Sequence, residues 1–595
     1  MSETMREPTP KLAEESAESG QESPALRITR RELIVTAGTV AAALAVAGCA
    51  PSVAHVVPTP THTPFALRRT ATLFADATVP TALAAATTAR IGNAAGLSGV
   101  TAASTLASDT DFVLTFGAVP AGYAALPIGA SPATALTHMR VPVDNITSDQ
   151  MHALLSGQVT DWQAVGAPYS LGVHLFALDG VALPASVTAA SGIRSIKGIA
   201  ALLSQMRGQP GSLALVPVEA AEWRLRNLGI DGIYPAQGRG DATTAKITPF
   251  TLTLGVHQSL VKAGLDSKAL AATLASVLAA ATPVLDMAAV GDIMLGRTVN
   301  TKMVGYRDYL YPYRKMRDEL QSADLRVANL ECCVSDLAPI PSDPSTFYFA
   351  TSTKAISGLT YAGFQMLTVA NNHSNGFGPT PYLDMIANLQ KNGIGTTGGG
   401  KNLDEARAPS LVTIKGVRVA MLGYDMIAPQ GPYAAAGVAG LAPIDLDTLP
   451  DDIASARKQA DLVIPYFHWG IEYTKDPTDV QQHIARSAID AGADMVLGNH
   501  PHWIQGIETY KGKLIIYSMG NFIFDQDWSR QTLEGMLLHL YWRGTTLVSV
   551  RFVPVIDQDR CQPRIMSQAE AVDSFQRMWT GTDMLANGQY GPEPE

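Results

Sequence analysis

The sequence predicts an α/β protein in two parts, each a layered arrangement of sheet and helix, and three observations carry that expectation. The chain has 595 residues, too many for one compact core, so two or more domains are required. From Val284 onward, short apolar runs of strand length alternate with helical stretches, the pattern of a buried sheet covered by helices. Between residues 66 and 283 the composition shifts to Ala, Leu, Val and Thr, and short apolar strands again alternate with amphipathic helical patterns.

The N-terminus precedes any of these elements. Residues 1–26 are polar and rich in Glu, Ser and Pro, a composition that cannot bury enough apolar surface to fold. Thr29-Arg30-Arg31-Glu32-Leu33 then leads into an apolar run over residues 33–47, and the stretch ends Val46-Ala47-Gly48-Cys49. Paired arginines before a modest apolar stretch resemble a twin-arginine export signal. The residues before Cys49 resemble a lipobox, where small side chains let a peptidase reach the bond and the Cys49 thiol takes a lipid. The run is shorter than the roughly 20 residues that span a bilayer, which argues against a plain transmembrane anchor. The expectation is an exported protein, residues 1–49 its signal, lipid-anchored to the outer face of the cytoplasmic membrane. Residues 50–65 carry Pro58-Thr59-Pro60-Thr61 and read as a semi-extended tether. The remaining cysteines are Cys332, Cys333 and Cys561. Adjacent cysteines rarely pair with each other, so no disulfide framework is expected to hold the fold.

In the first part, residues 66–283, the run at 111–116 reads as a strand and 267–278 as a helix. Val143-Asp144-Asn145-Ile146-Thr147, Leu154-Leu155-Ser156-Gly157 and Thr160-Asp161-Trp162 resemble a segment of phosphate-type periplasmic substrate-binding proteins. Pro210-Gly211-Ser212-Leu213-Ala214-Leu215 is similar to their later glycine-led strand. The resemblance implies an α/β substrate-binding-protein-like domain. The chain offers no evident run of Ser, Thr and Gly backbone donors for an anion, so a scaffold role and a binding role both stay open.

In the second part the apolar runs fall at 285–290, 325–329, 366–370, 417–422, 462–467, 495–497 and 514–517, with helical stretches at 381–390 and 480–491, the latter stopped by Gly492. Groups able to bind a metal follow five of these runs: Asp292, Glu331, the pair Asn372 and His373, His468, and His500 with His502. Each alone has a plain alternative, since an Asp after a strand is commonly a cap or turn residue and a lone His is commonly a hydrogen-bonded group. Five such groups after five strands point to one site, because open α/β sheets place ligands at the carboxyl ends of their strands. His500 and His502, two apart, would share a face if their segment is extended.

Together Gly291–Arg297, the Asn329-Leu330-Glu331 run, residues 370–378, His468–Tyr473, Gly498–His502 and Tyr517-Ser518-Met519-Gly520-Asn521-Phe522-Ile523-Phe524-Asp525 resemble the CapA family of poly-γ-glutamate capsule synthesis. The resemblance runs over residues 284–530, with 531–595 as the last strands and tail of the same domain. It implies a calcineurin-like, metallophosphatase-related fold: a two-sheet core flanked by helices. It also implies site roles. Asp292 and His502 would serve one metal, Asn372, His468 and His500 the other, Glu331 would bridge, and His373 would be the catalytic general acid. Mixed carboxylate and imidazole ligands suit Mn, Fe or Zn, as one or two ions. Met294 stands where a phosphatase would have a histidine ligand, which leaves the first position short of a donor. Gly376 stands where the family often has Asp, so a carboxylate that would orient His373 is missing.

With 43 basic and 53 acidic residues, a net charge of −10 and no basic stripe, a nucleic-acid partner is not expected. Three functions remain. The first is a lipoprotein of the CapA type in the biosynthesis, export or anchoring of an anionic polymer such as poly-γ-glutamate. The second is a metal-dependent phosphoesterase-like hydrolase of the envelope, acting on a phosphoester. The third is a surface anion-binding protein. No catalytic group is assigned upstream of Val284, so the fragment 284–595 is expected to fold and bind metal alone.

Overall fold

A computed structural model describes residues 70–586, apart from 93–96, 98, 183–191, 241–246, 248 and 280–282. Cys49, the arginine pair and the tether lie outside the described residues. The fold is α/β, and every named sheet lies either before residue 258 or after residue 283.

The second half is built on two sheets. In the first, strands run in the order Gly395–Thr397, Met366–Thr368, Leu325–Leu330, Val284–Ile293, Glu534–Arg543, Thr546–Gln558 and Gln562–Ile565, with Asn521–Ile523 also on Val284–Ile293. The first four are mutually parallel, and the last three continue as an antiparallel meander. The second sheet runs Ser410–Ile414, Val417–Asp425, Leu462–His468, Met495–Asn499, Lys513–Ile516 and Ile507–Tyr510, with a parallel centre and antiparallel edges.

Side-chain alternation fixes which faces meet. Val417, Val419 and Met421, Leu462, Ile464 and Tyr466, and Met495 and Leu497 point inward to Leu285, Met287, Ala289, Leu325 and Val327 of the first sheet. Ala420, Leu422, Val463 and Phe467 point outward, against the helices Leu449–Arg457 and Asp479–Asp490. Val290, Ile293, Ala328 and Leu330 face outward on the other side, under Arg297–Tyr306, Ile356–Ala362 and Pro379–Lys391. The result is four layers, helix, sheet, sheet, helix, with the inner core dry and apolar. Helix Asp479–Asp490 starts at a capping box, Thr478 with Gln481, and the chain leaves it at Gly492, φ 106°. The same parity carries His468 and Asn499 onto the inter-sheet face at the carboxyl ends of their strands.

The first half holds a five-stranded and a six-stranded sheet. The strand expected at 111–116 is Phe112–Thr115, and the expected helix is Ser267–Ala279. The Thr160-Asp161-Trp162 segment is structural: Trp162 is buried and its Nε1 donates to the Gly211 carbonyl at 3.0 Å. Gly211, φ 76°, is required there, because a Cβ would stand 2.0 Å from the Gly172 carbonyl oxygen.

The two halves interlock through apolar side chains. Met139 and Trp223 share the inter-sheet core with Leu540 and Trp542, while Val218, Ala221 and Ala236 cover Tyr541 and Val548. Asn227 Nδ2 donates to the Val548 carbonyl at 3.3 Å, and Gln237 Nε2 to Ser549 Oγ at 3.2 Å. Cys332, Cys333 and Cys561 are buried and free. No helix of the described residues is long and apolar enough to cross a membrane.

Candidate metal centre

The candidate ligands come together where the carboxyl edges of the two sheets meet. Asp292 is the last residue but one of its strand, Glu331 follows Leu330, Asn372 and His373 follow Met366–Thr368, His468 ends its strand, and His500 and His502 follow Asn499. Asp292 reaches the edge because Gly291 has no side chain: a Cβ there would lie 1.8 Å from the Gly520 oxygen, the group that accepts from Asp292 N at 3.2 Å.

Asparagines hold the ligands in place. Asn371 Nδ2 donates to Asn329 Oδ1 at 3.0 Å, which turns the Asn329 amide toward Asp292 Oδ1 at 2.8 Å and His468 Nδ1 at 3.2 Å. Asn372 lies between two imidazoles, Oδ1 2.9 Å from His468 Nε2 and Nδ2 3.1 Å from His373 Nε2. Asn521 commits its Nδ2 to Gln526 and to the Thr532 carbonyl, so its Oδ1 must accept from His502 Nδ1, at 2.9 Å. His502 Nε2 then points the other way, 3.9 Å from Glu331 and 3.8 Å from Glu472.

Several buried polar atoms of the site have no protein partner. Asp292 and Glu331 are both fully buried. Asp292 Oδ2, both Glu331 oxygens and His500 Nδ1 have no hydrogen-bond partner. Burial and the adjacent Asp292 carboxylate push the Glu331 carboxyl well above its ordinary range. Burial also works against ionising Asp292, yet His502 and the Asn329 and Asn499 amides hold it low. His502 Nδ1 is 3.4 Å from Asp292 Oδ2, but Asn521 is the nearer acceptor. Burial, then neighbouring imidazoles, lowers His500 to about 3 and puts His468 well below the usual range, so both rings are neutral. Buried carboxylates without partners and neutral imidazoles are what a divalent cation requires of its ligands.

Two groups of three side chains each have ligand atoms within 4.8 Å of one another: Asp292, Glu331 and His468, and Glu472, His500 and His502. This division cuts across the one the resemblance implied, in which Asp292 goes with His502 and His468 with His500. Glu472 had no place in the sequence reading, although it lies inside the His468–Tyr473 motif. The extended geometry expected for His500 and His502 is absent. Both have positive φ, 97° and 58°, so they converge through a tight turn after the strand and not by strand alternation. Such backbone is costly for a residue with a side chain and persists where surrounding structure enforces it.

His373 is buried, its ring 4.2 Å from that of Phe349 and tilted 34° to it, with Nδ1 on the Phe347 carbonyl at 2.9 Å. That carbonyl, which also accepts from Gln430 Nε2 at 2.9 Å, orients the ring that the sequence left without a carboxylate. A Cβ on Gly376 would sit 2.5 Å from Gln430 Oε1, so the glutamine fills that space. His373 Nε2 is the acceptor end, 3.8 Å from Glu331, and burial lowers its pKa to about 3. Met294 is turned away: its sulfur accepts from Gly296 N at 3.0 Å inside the core. Arg297 lies in the wall, paired with Asp525, its guanidinium over Phe349 at 4.6 Å and its Nε buried without a partner.

Three donors of the first half are committed within it. The Thr78 and Thr115 hydroxyls both go to Asp76, and the Ile199 N–H, opening the helix Ile199–Arg207, donates to the Ala77 carbonyl at 2.7 Å.

The sequence model of the family described as "Bacterial capsule synthesis protein PGA_cap" matches residues 286–526. The PGA biosynthesis protein CapA of Bacillus subtilis (strain 168) is 34% identical over 267 residues, 44% of this chain and 69% of that protein. The capsule biosynthesis protein CapA of Bacillus anthracis is 32% identical over 274 residues, 45% of this chain and 66% of that protein. Among solved structures, an ABC-type phosphate transport receptor from Vibrio cholerae aligns at 11% identity and a TM-score of 0.25, over 35% of this chain and 93% of that one.

Proposed function

The chain belongs to the bacterial capsule synthesis protein family PGA_cap, and from that premise we propose that it serves the biosynthesis, export or anchoring of an anionic envelope polymer of the poly-γ-glutamate type. Its work is done at a divalent-cation site formed by Asp292, Glu331, Asn372, His468, His500 and His502. The observation that carries this is the set of buried, unpartnered oxygens on Asp292 and Glu331 facing neutral imidazoles. Mn, Fe or Zn suits such donors. A cation in this position supplies Lewis acidity toward an anionic oxygen and lowers the pKa of bound water.

The hydrolase reading draws on His373, whose Nδ1 is pinned to a carbonyl and whose Nε2 faces the carboxylates. Nε2 can accept a proton from a water or hydroxyl nucleophile and return it to a leaving oxygen. The anion-binding reading is the least favoured, because Thr78, Thr115 and the Ile199 N–H are already committed inside the chain. Export and a lipid on Cys49 belong to the same proposal, since a polymer assembled at the cell surface needs its accessory there.

Metal analysis of the purified full chain, with His500→Ala beside it, tests the proposal. Wild-type protein should carry a first-row metal and His500→Ala should carry less of it. Hydrolysis of a generic phosphodiester with added Mn distinguishes a hydrolase from an accessory that uses the cation to bind polymer. Wild-type protein that takes up no divalent cation overturns the proposal.

A further inference from the structure

We propose that Glu472 is a metal ligand, completing with His500 and His502 a second, solvent-facing cation position beside the buried one. The inference rests on the cation reading above and goes beyond it, because it adds a ligand and divides the site differently.

Four observations carry it. Glu472 Oε1 stands 3.8 Å from His502 Nε2, the nitrogen opposite the one held by Asn521, and its ligand atom lies within 4.8 Å of those of both histidines. His500 Nδ1 is buried with no hydrogen-bond partner, so that ring has a donor atom with nothing to meet. The loop bearing Glu472 is fastened to the loop bearing the histidines: Trp469 N donates to the Asn499 carbonyl at 3.1 Å and Tyr473 N to the Pro501 carbonyl at 2.8 Å. Tyr473 then stacks on His502 with ring centroids 6.0 Å apart. Finally, Tyr473, His500 and His502 all have positive φ, 61°, 97° and 58°. Three non-glycine residues in that region, around one point, indicate backbone held against its preference to aim side chains together.

Met294 adds nothing to either position, since its sulfur is committed to Gly296 N within the core. The outer position has two imidazoles, and a carboxylate from the 469–473 loop gives it a third ligand. Glu472 retains 41% side-chain exposure while Asp292, Glu331 and both histidines are buried. The outer position is therefore open to solvent and to an incoming oxyanion, and the buried position of Asp292, Glu331 and His468 is not.

The test is Mn titration of the full-length protein, read by calorimetry for stoichiometry and affinity. Wild type should take two ions, one tighter than the other. Glu472→Gln, which keeps the size and removes the charge, should weaken the second site on the order of 100-fold, with the first unchanged. Glu472→Asp should restore part of the loss. Because the residue is half-exposed, the variants should fold, and unchanged circular dichroism and an unchanged first site check this. Two sites with unaltered affinities in Glu472→Gln, or a single site in the wild type, overturn the assignment and leave the cation reading standing. A wild type that binds no Mn overturns both.

Discussion

Glu331→Gln separates the cost of building this site from its use. Glu331 is fully buried, neither of its oxygens has a partner, and burial together with Asp292 holds its carboxyl well above the ordinary range. A group whose folded pKa is raised contributes its full stability below the unfolded value, about 4.3 for Glu. That contribution is lost as pH rises toward and through the folded pKa. Without cation, the wild type should therefore lose stability from about pH 4 upward, and the amide variant should be spared this loss. The amide carries no charge, and its N–H is close enough to share a hydrogen bond with Asp292. Leaving a buried polar group unsatisfied costs ~1–3 kcal/mol, so near neutral pH in chelator Glu331→Gln should be the more stable protein by about that amount. This is a rise of a few degrees in the melting midpoint. Added Mn should reverse the order. A ligand at a hundred times its Kd adds ~2.7 kcal/mol to the folded state, and the wild type should gain this from the buried position while the variant does not. Thermal melts of both proteins, in chelator and with Mn and across pH, read every term. A variant that melts below wild type in chelator, or that shows the full wild-type Mn shift, would refute the idea that these carboxylates are ligands for a cation.

Three further outcomes follow from the interlocked halves and the N-terminus. Trp223→Ala should destabilise the protein by roughly 3–5 kcal/mol, since Trp223 is buried in the same core as Trp542; unchanged melting would show that contact to be idle. For the same reason the fragment 284–595, expected from sequence to stand alone, would expose Tyr541 and Val548, and should express as a less soluble protein than the full chain. Cys49→Ala should abolish membrane retention or leave the precursor unprocessed, and an unaltered mass and detergent partition would exclude the lipid anchor.

Much of this protein was legible in its sequence for a local reason. Strand-length apolar runs and the polar group after each one are short-range patterns, and the expected runs at 417–422, 462–467 and 495–497 are the strands Val417–Asp425, Leu462–His468 and Met495–Asn499. The family resemblance followed from the same motifs, and so did the candidates Asp292, Glu331, Asn372, His468, His500 and His502. What the sequence alone could not decide is how those groups divide among themselves, because that depends on contacts between chain segments far apart. His502 is oriented by Asn521, His373 by the Phe347 carbonyl, and Met294 is turned into the core by Gly296 N. Glu472 is the clearest case. In the sequence it is an acidic residue two positions after Gly470. It enters the site only because pairing of Leu462–His468 with Met495–Asn499 brings Trp469 N to the Asn499 carbonyl and Tyr473 N to the Pro501 carbonyl. Local pattern determines which elements form and what chemistry they carry, whereas hydrogen bonds between loops that only the packed sheets bring together decide which atoms meet.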